Sequence, residues 1–161
     1  MRLNREQIAA VLPHRGRMCL IDEVQAYDAD SLHGRSHAAT QRANPMADAD
    51  GRLGAACAVE YAAQAMALHH ACRAMAAASS GQVPRLPRGT LAGVRDLQLF
   101  VSRLDDLDAD LDIRVTLLSG DAGAAQYALQ IDAGARAVAR GRAMVVIDAG
   151  AAEARAGEGR A

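Results

Sequence analysis

The alternation of apolar and polar positions changes character along the chain near residue 79. Before that point, residues 54–78 contain no proline and many alanines, which predicts one long helix. After it, apolar residues recur at every second position, as in Leu111, Ile113 and Val115, and this period of two predicts strands. The stretches with this character are TLAGVRDLQLFVSR, DLDIRVTLLSG, AAQYALQIDAG and ARAVARGRAMVVIDAG.

The N-terminal part of the chain predicts shorter elements. Asn4 can cap a helix over residues 5–11 that Pro13 stops. A strand, a returning strand joined to it near Asp28–Ser31, and a polar loop are then predicted at 18–30, 31–40 and 41–53.

The joints between the later strands are short and either acidic or glycine-rich. They lie at Asp105-Asp106, at 120–123 and at Ala133-Gly134, and they predict hairpins and hence an antiparallel meander. Residues 79–89 predict a linker loop, residues 1–148 a single domain, and residues 149–161 a disordered tail. An antiparallel sheet with one segregated helix is an α+β architecture.

Composition narrows the class of protein further. A chain of 161 residues is long enough for one domain with a real core, and with 2% aromatic residues that core must be aliphatic. The formal net charge of −1 disfavours a general nucleic-acid binder. The three cysteines have no metal-ligand spacing and predict buried, reduced thiols. No apolar run approaches a membrane span, and we expect a cytoplasmic protein.

Glu60 is the unusual residue of the predicted helix. It lies within AVEYAAQAMALHH, where almost every neighbour is small or apolar. Helical spacing places Glu60 on one face with Cys57 and Gln64. A lone carboxylate there is either solvated at the margin of the helix or held in a site that uses it.

Several segments resemble one enzyme family in order and spacing. LPHRGRMCLIDEV, residues 12–24, resembles the N-terminal motif of the hotdog-fold 3-hydroxyacyl-acyl-carrier-protein dehydratases, and AVEYAAQAM resembles their central helix. LAGVRDLQLFVSRLDDLD and GARAVARGRAMVVIDA resemble a following strand and the closing strand. The resemblance covers roughly residues 8–148 and implies a hotdog fold, in which an antiparallel sheet wraps around one long central helix.

One departure from that family concerns its loop histidine, which lies fourteen positions before the helix carboxylate. Here that position is Met46, and no histidine occurs from 38 to 68. The loop NPMADADGRLG instead resembles the divergent dehydratase-like proteins of aryl polyene and xanthomonadin pigment clusters. In those clusters such proteins accompany a second, more typical hotdog dehydratase.

The resemblance also implies roles for individual residues. Glu60 corresponds to the carboxylate that delivers a proton to the departing hydroxyl, and Gln64 to a substrate-site residue that orients it. Backbone N–H groups at the helix start, in Gly54, Ala55, Ala56 and Cys57, would polarise the thioester carbonyl. His14 matches a residue that is structural in the family, and it is also a possible base. No metal or cofactor is implied, because the substrate is carried on the phosphopantetheine of an acyl carrier protein.

The remaining candidate residues have simpler interpretations. His33 and His37 are expected at the surface on a strand edge, and the adjacent His69 and His70 point in different directions, which disfavours a metal pair. Arg85, Arg88 and Arg95 are either solvated or able to meet an acidic carrier protein or its phosphate.

Three hypotheses for function stay open on the sequence. The chain is an active 3-hydroxyacyl-carrier-protein dehydratase of fatty-acid or aryl-polyene-type biosynthesis; or it is a non-catalytic or half-catalytic partner of a histidine-bearing hotdog protein; or it is a hotdog acyl thioesterase. The family implies an acyl tunnel between two protomers with Glu60 at its mouth, in a homodimer or a heteromer. The missing histidine favours the second hypothesis over the first.

Overall fold

The computed structural model describes residues 2–77, 88–121 and 123–148. Six strands form one antiparallel sheet in the order β1-β2-β4-β5-β6-β3. They are β1 (Glu23–Tyr27), β2 (Ser31–Ser36), β3 (Arg88–Leu99), β4 (Leu111–Gly120), β5 (Ala124–Ala133) and β6 (Arg136–Asp148). The helices are α1 (Arg5–Val11), α2 (Ala38–Arg42) and α3 (Ala58–Ala77). Short 3₁₀ turns at Gly16–Met18 and Ala55–Cys57 precede β1 and α3.

The long helix α3 packs on the concave face of the sheet. The inward side chains alternate along the strands, as predicted: Leu111, Ile113 and Val115 on β4 are fully buried, while their neighbours on the strand are not. Because α3 is rich in alanine, the sheet can approach it closely, and Ala58, Ala62 and Ala65 are among its buried residues. The predicted α+β hotdog architecture is confirmed.

The predicted hairpin at Asp105-Asp106 is wrong. Strand β3 pairs with β6 at the far side of the sheet, while β4 pairs with β2 and β5. The chain between β3 and β4 crosses the start of α3 instead of turning back. Leu104 is buried and its N–H donates to the carbonyl of Leu53 (2.8 Å), and Asp105 accepts a hydrogen bond from the Leu53 N–H (2.6 Å). Asp105 therefore stabilises a crossover, and only β4, β5 and β6 form a meander.

The N-terminal elements differ from prediction at their ends. Helix α1 is capped as predicted, since the Asn4 side chain accepts from the Gln7 N–H (3.0 Å). The first strand starts later than predicted, because the chain first makes the 3₁₀ turn at Gly16–Met18. The second ends at Ser36, since α2 follows it at once, and the predicted loop accordingly begins after Arg42.

Two predicted segments lie wholly or mostly outside the residues that the structure describes. The tail at 149–161 lies outside the described residues, as does most of the linker at 79–89. Across the described helices, none combines the length and apolar character required to cross a membrane.

Candidate active site around Glu60

Glu60 lies in the first turn of α3 with its side chain partly open to solvent. The side chain is 32% exposed in the single chain. Gln64, one turn further along, is fully buried, and its Nε2 donates to Glu60 Oε1 at 3.0 Å. The predicted pairing of these two residues on one helical face is therefore present in the structure.

The amide of Gln64 is held by the backbone of the segment that precedes β1. Its Oε1 accepts from the Leu20 N–H at 2.9 Å, and its Nε2 also donates to the Met18 carbonyl at 2.8 Å. Because these backbone groups fix which end of the amide faces which way, the N–H directed at Glu60 is determined. Gln64 is thus a rigid support that joins α3 to the N-terminal motif.

His14 comes from that same N-terminal motif and contacts the same oxygen of Glu60. Its Nε2 lies 3.3 Å from Glu60 Oε1, and its side chain is 31% exposed. Its Nδ1 is buried and has no hydrogen-bond partner among the described residues. The turn that carries His14 is held by Arg15, whose guanidinium donates to the carbonyls of Ala9 (2.8 Å) and Leu12 (2.7 Å).

Two of the four N–H groups that were predicted to polarise the thioester carbonyl already donate to backbone carbonyls in the fold. The Ala55 N–H donates to the Ser102 carbonyl (3.0 Å), and the Cys57 N–H donates to the Gly54 carbonyl (3.0 Å). Both groups are therefore occupied, because the crossover before β4 and the 3₁₀ turn use them. Gly54 and Ala56 are exposed residues, and they remain the candidates among the four predicted donors.

The loop that carries Met46 is tied to α3 next to Glu60. Asn44 is buried; its Nδ2 donates to the hydroxyl of Tyr61 (2.9 Å), and its Oδ1 accepts from the Met46 N–H (2.8 Å). Tyr61 is fully buried. Sequence reasoning missed this anchor because no local spacing relates Asn44 to Tyr61.

The other candidate histidines lie away from Glu60. His33 is on β2, an interior strand and not the predicted edge, and contacts Asp112 (3.0 Å), while His37 contacts Asp110 (3.0 Å). His69 is fully buried, and its two ring nitrogens contact the Tyr127 hydroxyl (3.0 Å) and the Asp28 carbonyl (3.1 Å). Within the described ranges, no group of three or more His, Cys, Asp and Glu side chains is placed to hold a metal ion.

The predicted arginines and cysteines add little to the site. Arg95 is exposed on the edge strand β3, whereas Arg85 and the side chain of Arg88 lie outside the described structure. All three cysteines are free thiols; Cys19 and Cys72 are buried, and burial raises the pKa of Cys72 to about 11.

The described part of the single chain has shallow surface cavities, and two of them lie away from Glu60. One, of about 270 Å³, lies beside the β1–β2 turn and is lined in part by Tyr27 and Arg114. The other, of about 230 Å³, is lined by Arg5, Arg17, Thr40 and Ala43. Neither is lined by Glu60 or His14, and the acyl tunnel between protomers stays a prediction.

Comparison with known proteins places this geometry in a family. A chain of the dehydratase heterocomplex ApeI:P from Xenorhabdus doucetiae has a TM-score of 0.75 at 21% identity, covering 92% of this chain and 95% of that one. A mutant of thioesterase PA1618 from Pseudomonas aeruginosa has a TM-score of 0.56 at 12% identity, covering 90% and 94%. Both likenesses show the hotdog fold.

The curated proteins contain no significant match to this sequence. The family model described as ApeP dehydratase matches residues 6–154, a span that includes His14, Glu60, Gln64 and every strand of the sheet. The chain belongs to the ApeP-like dehydratase family.

Proposed function

We propose that this chain is the acid-bearing subunit of a cytoplasmic 3-hydroxyacyl-acyl-carrier-protein dehydratase. The observation that supports this most is the carboxylate of Glu60, which is supported by the fully buried Gln64 yet remains one-third exposed. A merely solvated glutamate would have no need of a buried amide that is itself fixed by two backbone groups. Membership of a dehydratase family supports the reaction class.

The proposed reaction is the elimination of water from a 3-hydroxyacyl thioester. A base removes the proton at the α-carbon, a double bond forms between the α- and β-carbons, and the bond from the β-carbon to its hydroxyl breaks. Glu60 gives its proton to the departing hydroxyl, which leaves as water. The N–H of Ala56, an exposed residue, would polarise the thioester carbonyl. Electrons and atoms balance without a redox partner, so the proposal includes no cofactor beyond the carrier's phosphopantetheine.

The base is proposed to come from a second hotdog protein. The chain has no histidine from 38 to 68, the stretch in which the resembling dehydratases carry theirs. A structural neighbour is itself a chain of a dehydratase heterocomplex, which supports assembly of this kind. Glu60 from this chain and a histidine from the partner would then complete one site at the interface, in a pathway of the fatty-acid or aryl-polyene type.

The test is a reconstitution with an acyl carrier protein that carries a 3-hydroxyacyl chain. Intact-protein mass spectrometry follows the loss of water from the carrier for this protein alone, for a histidine-bearing hotdog partner alone, and for the mixture. The proposal predicts slow or no turnover by this protein alone and a clear gain in the mixture. Full activity of this protein alone would contradict the shared site, and release of the free acid would identify a thioesterase instead.

A further inference from the structure

We propose that His14 is a positioning residue whose Nε2 carries hydrogen where it contacts Glu60, and that it is not the base of the reaction. The same geometry assigns Glu60 Oε2 as the oxygen that carries the transferred proton. The catalytic part of this inference rests on the proposed dehydratase function, whereas the protonation pattern of the two side chains does not.

The argument begins with two backbone groups whose roles are fixed. The Leu20 N–H can only donate and the Met18 carbonyl can only accept, so Gln64 must turn its Oε1 to Leu20 and its Nε2 to Met18. The second hydrogen on Nε2 is then directed at Glu60 Oε1, at 3.0 Å. Glu60 Oε1 must therefore accept, and it cannot be the oxygen that carries a proton toward Gln64.

His14 meets that same oxygen. Its Nε2 is 3.3 Å from Glu60 Oε1, an ion-pair contact that is longer than an ordinary N–H···O hydrogen bond and does not have the geometry of one. An accepting oxygen at this distance attracts an N–H and repels a nitrogen lone pair. The favoured form of the ring is therefore the tautomer with hydrogen on Nε2, and a base would need a lone pair at that atom.

The buried Nδ1 of His14 argues against a doubly protonated ring. An imidazolium would carry a second N–H on Nδ1, and that atom is buried with no hydrogen-bond partner among the described residues. An unpaired donor on a charged ring costs more than an unpaired lone pair on a neutral one. The neutral Nε2–H tautomer satisfies the contact to Glu60 without that penalty.

The two contacts leave the oxygens of Glu60 unequal. Gln64 and His14 both meet Oε1, and Oε2 takes part in neither contact. A carboxylic acid held in this way keeps Oε1 as its carbonyl oxygen and presents its O–H on Oε2. His14 thus orients the acid by occupying one side of it, and the proton leaves from the other side.

The tautomer can be measured without any activity. Long-range ¹H–¹⁵N correlation spectra of the ¹⁵N-labelled protein separate the Nε2–H tautomer, the Nδ1–H tautomer and the imidazolium for each of the five histidines. The His14 signals are assigned by their loss in His14→Gln and independently in His14→Asn. The inference predicts the Nε2–H pattern near neutral pH. An Nδ1–H pattern or an imidazolium pattern would overturn it.

Kinetics of the reconstituted mixture give the second readout. His14→Ala should lower kcat on the order of 10²-fold through misplacement of the acid, with KM nearly unchanged. His14→Gln can still donate an N–H but cannot act as a base, and it should recover most of that loss. An equal loss of roughly 10²–10⁴-fold in both variants would identify His14 as the base and overturn the inference. A mixture with no dehydratase activity would refute the proposed function and leave the tautomer measurement as the test of the protonation pattern.

Discussion

Gln64 shows how a single buried amide can organise a site that is built from two distant segments. It is fully buried, its oxygen accepts from the Leu20 N–H, and its nitrogen donates to the Met18 carbonyl and to Glu60. All three partners depend on one side chain. Gln64 therefore couples the packing of the N-terminal motif on α3 to the orientation of the Glu60 side chain.

Replacement of Gln64 by methionine keeps the length of the side chain and removes the amide. We expect a loss of on the order of 2–4 kcal/mol in the free energy of unfolding, because a buried backbone N–H and a buried carbonyl lose their partners. Gln130→Met is the matched control, since Gln130 is only partly buried and bonds the side chain of Asp132. Urea unfolding of both variants measures the difference, and equal losses would contradict the structural role of Gln64.

The sequence predicted part of this residue-scale arrangement. Glu60 and Gln64 are four apart on a helix, so their contact follows from local geometry alone. His14 was predicted as a structural residue of the motif or a possible base, and its contact with Glu60 was not predicted. That contact spans forty-six positions and depends on how the turn at Gly16–Met18 packs on α3, which no local pattern specifies.

Among the secondary-structure elements, α1 and α2 are connected by Asp22, which directly precedes β1. Its carboxylate accepts from the Arg5 guanidinium on α1, from the His37 N–H between β2 and α2 (2.8 Å), and from the Thr40 hydroxyl on α2 (2.8 Å). The residue is 9% exposed. The short helix α2, too short to be stable alone, is held against the sheet by this contact.

Asp22→Asn should weaken that arrangement. We expect a loss of about 1–3 kcal/mol in unfolding free energy, because the amide loses the charge that faces Arg5 and one of its accepting oxygens. Asp96→Asn is the control: its ion pair with Arg142 is largely exposed and should contribute well under about 1 kcal/mol. Chemical denaturation of the two variants should separate them; if Asp96→Asn were the more damaging, the account of Asp22 would fail.

The far half of α3 is attached to the sheet through a buried histidine. His69 packs edge-on against the ring of Tyr127 and bonds its hydroxyl, while its other nitrogen bonds the Asp28 carbonyl. Burial lowers the pKa of His69, and burial likewise lowers the pKa of the neighbouring His70. Both rings are therefore favoured in the neutral form when the protein is folded.

Stability should consequently fall as the pH is lowered. The unfolded chain takes up protons at these histidines near pH 6.5 and the folded chain does not, so the contribution is present above pH 6.5 and is lost progressively below it. Each histidine can add at most about 1.4 kcal/mol per pH unit to the slope. Unfolding free energies between pH 7.5 and pH 5 measure it, and His69→Gln should flatten the curve. A stability that rises toward pH 5 would contradict the sign.

Element prediction succeeded where the signal was local. The Asn4 cap and the alternation along β4 and β5 were read from neighbouring residues and are confirmed. The predicted position of β3 beside β4 was wrong, because the choice between β4 and β6 as its neighbour is made by long-range pairing. The buried Leu104 in the crossover gave no periodic signal that distinguished it from a hairpin.

At the scale of the whole molecule, the described strands form one sheet, and one of its edges pairs with no other described strand. Strand β3 ends the sheet, and the exposed apolar residues Leu97, Leu99 and Phe100 lie at its end. An edge strand presents unpaired backbone N–H and carbonyl groups, which are suited to pairing with another chain. This surface is compatible with the proposed heteromer, and a partner there would add side chains that the single chain lacks.

The fold class could be predicted from the sequence because one helix between strand blocks admits few architectures, and the family resemblance agreed with it. The complete site could not be predicted from the sequence. The proposed acid, Glu60, and its support, Gln64, lie within one chain, but the loop position at which the resembling dehydratases carry a histidine is Met46 here. A residue that a partner supplies leaves no trace in this sequence beyond the absence of a histidine in the expected loop.

The most direct test of the account is the activity of the reconstituted mixture when Glu60 alone is changed. Glu60→Gln keeps the shape and an amide oxygen that can still accept from Gln64, and it removes the transferable proton. With assembly verified by size-exclusion chromatography, the account predicts an unchanged complex whose rate of enoyl formation falls roughly 10²–10⁴-fold. A mixture that keeps its full rate with Glu60→Gln would show that the acid lies elsewhere and would contradict the account.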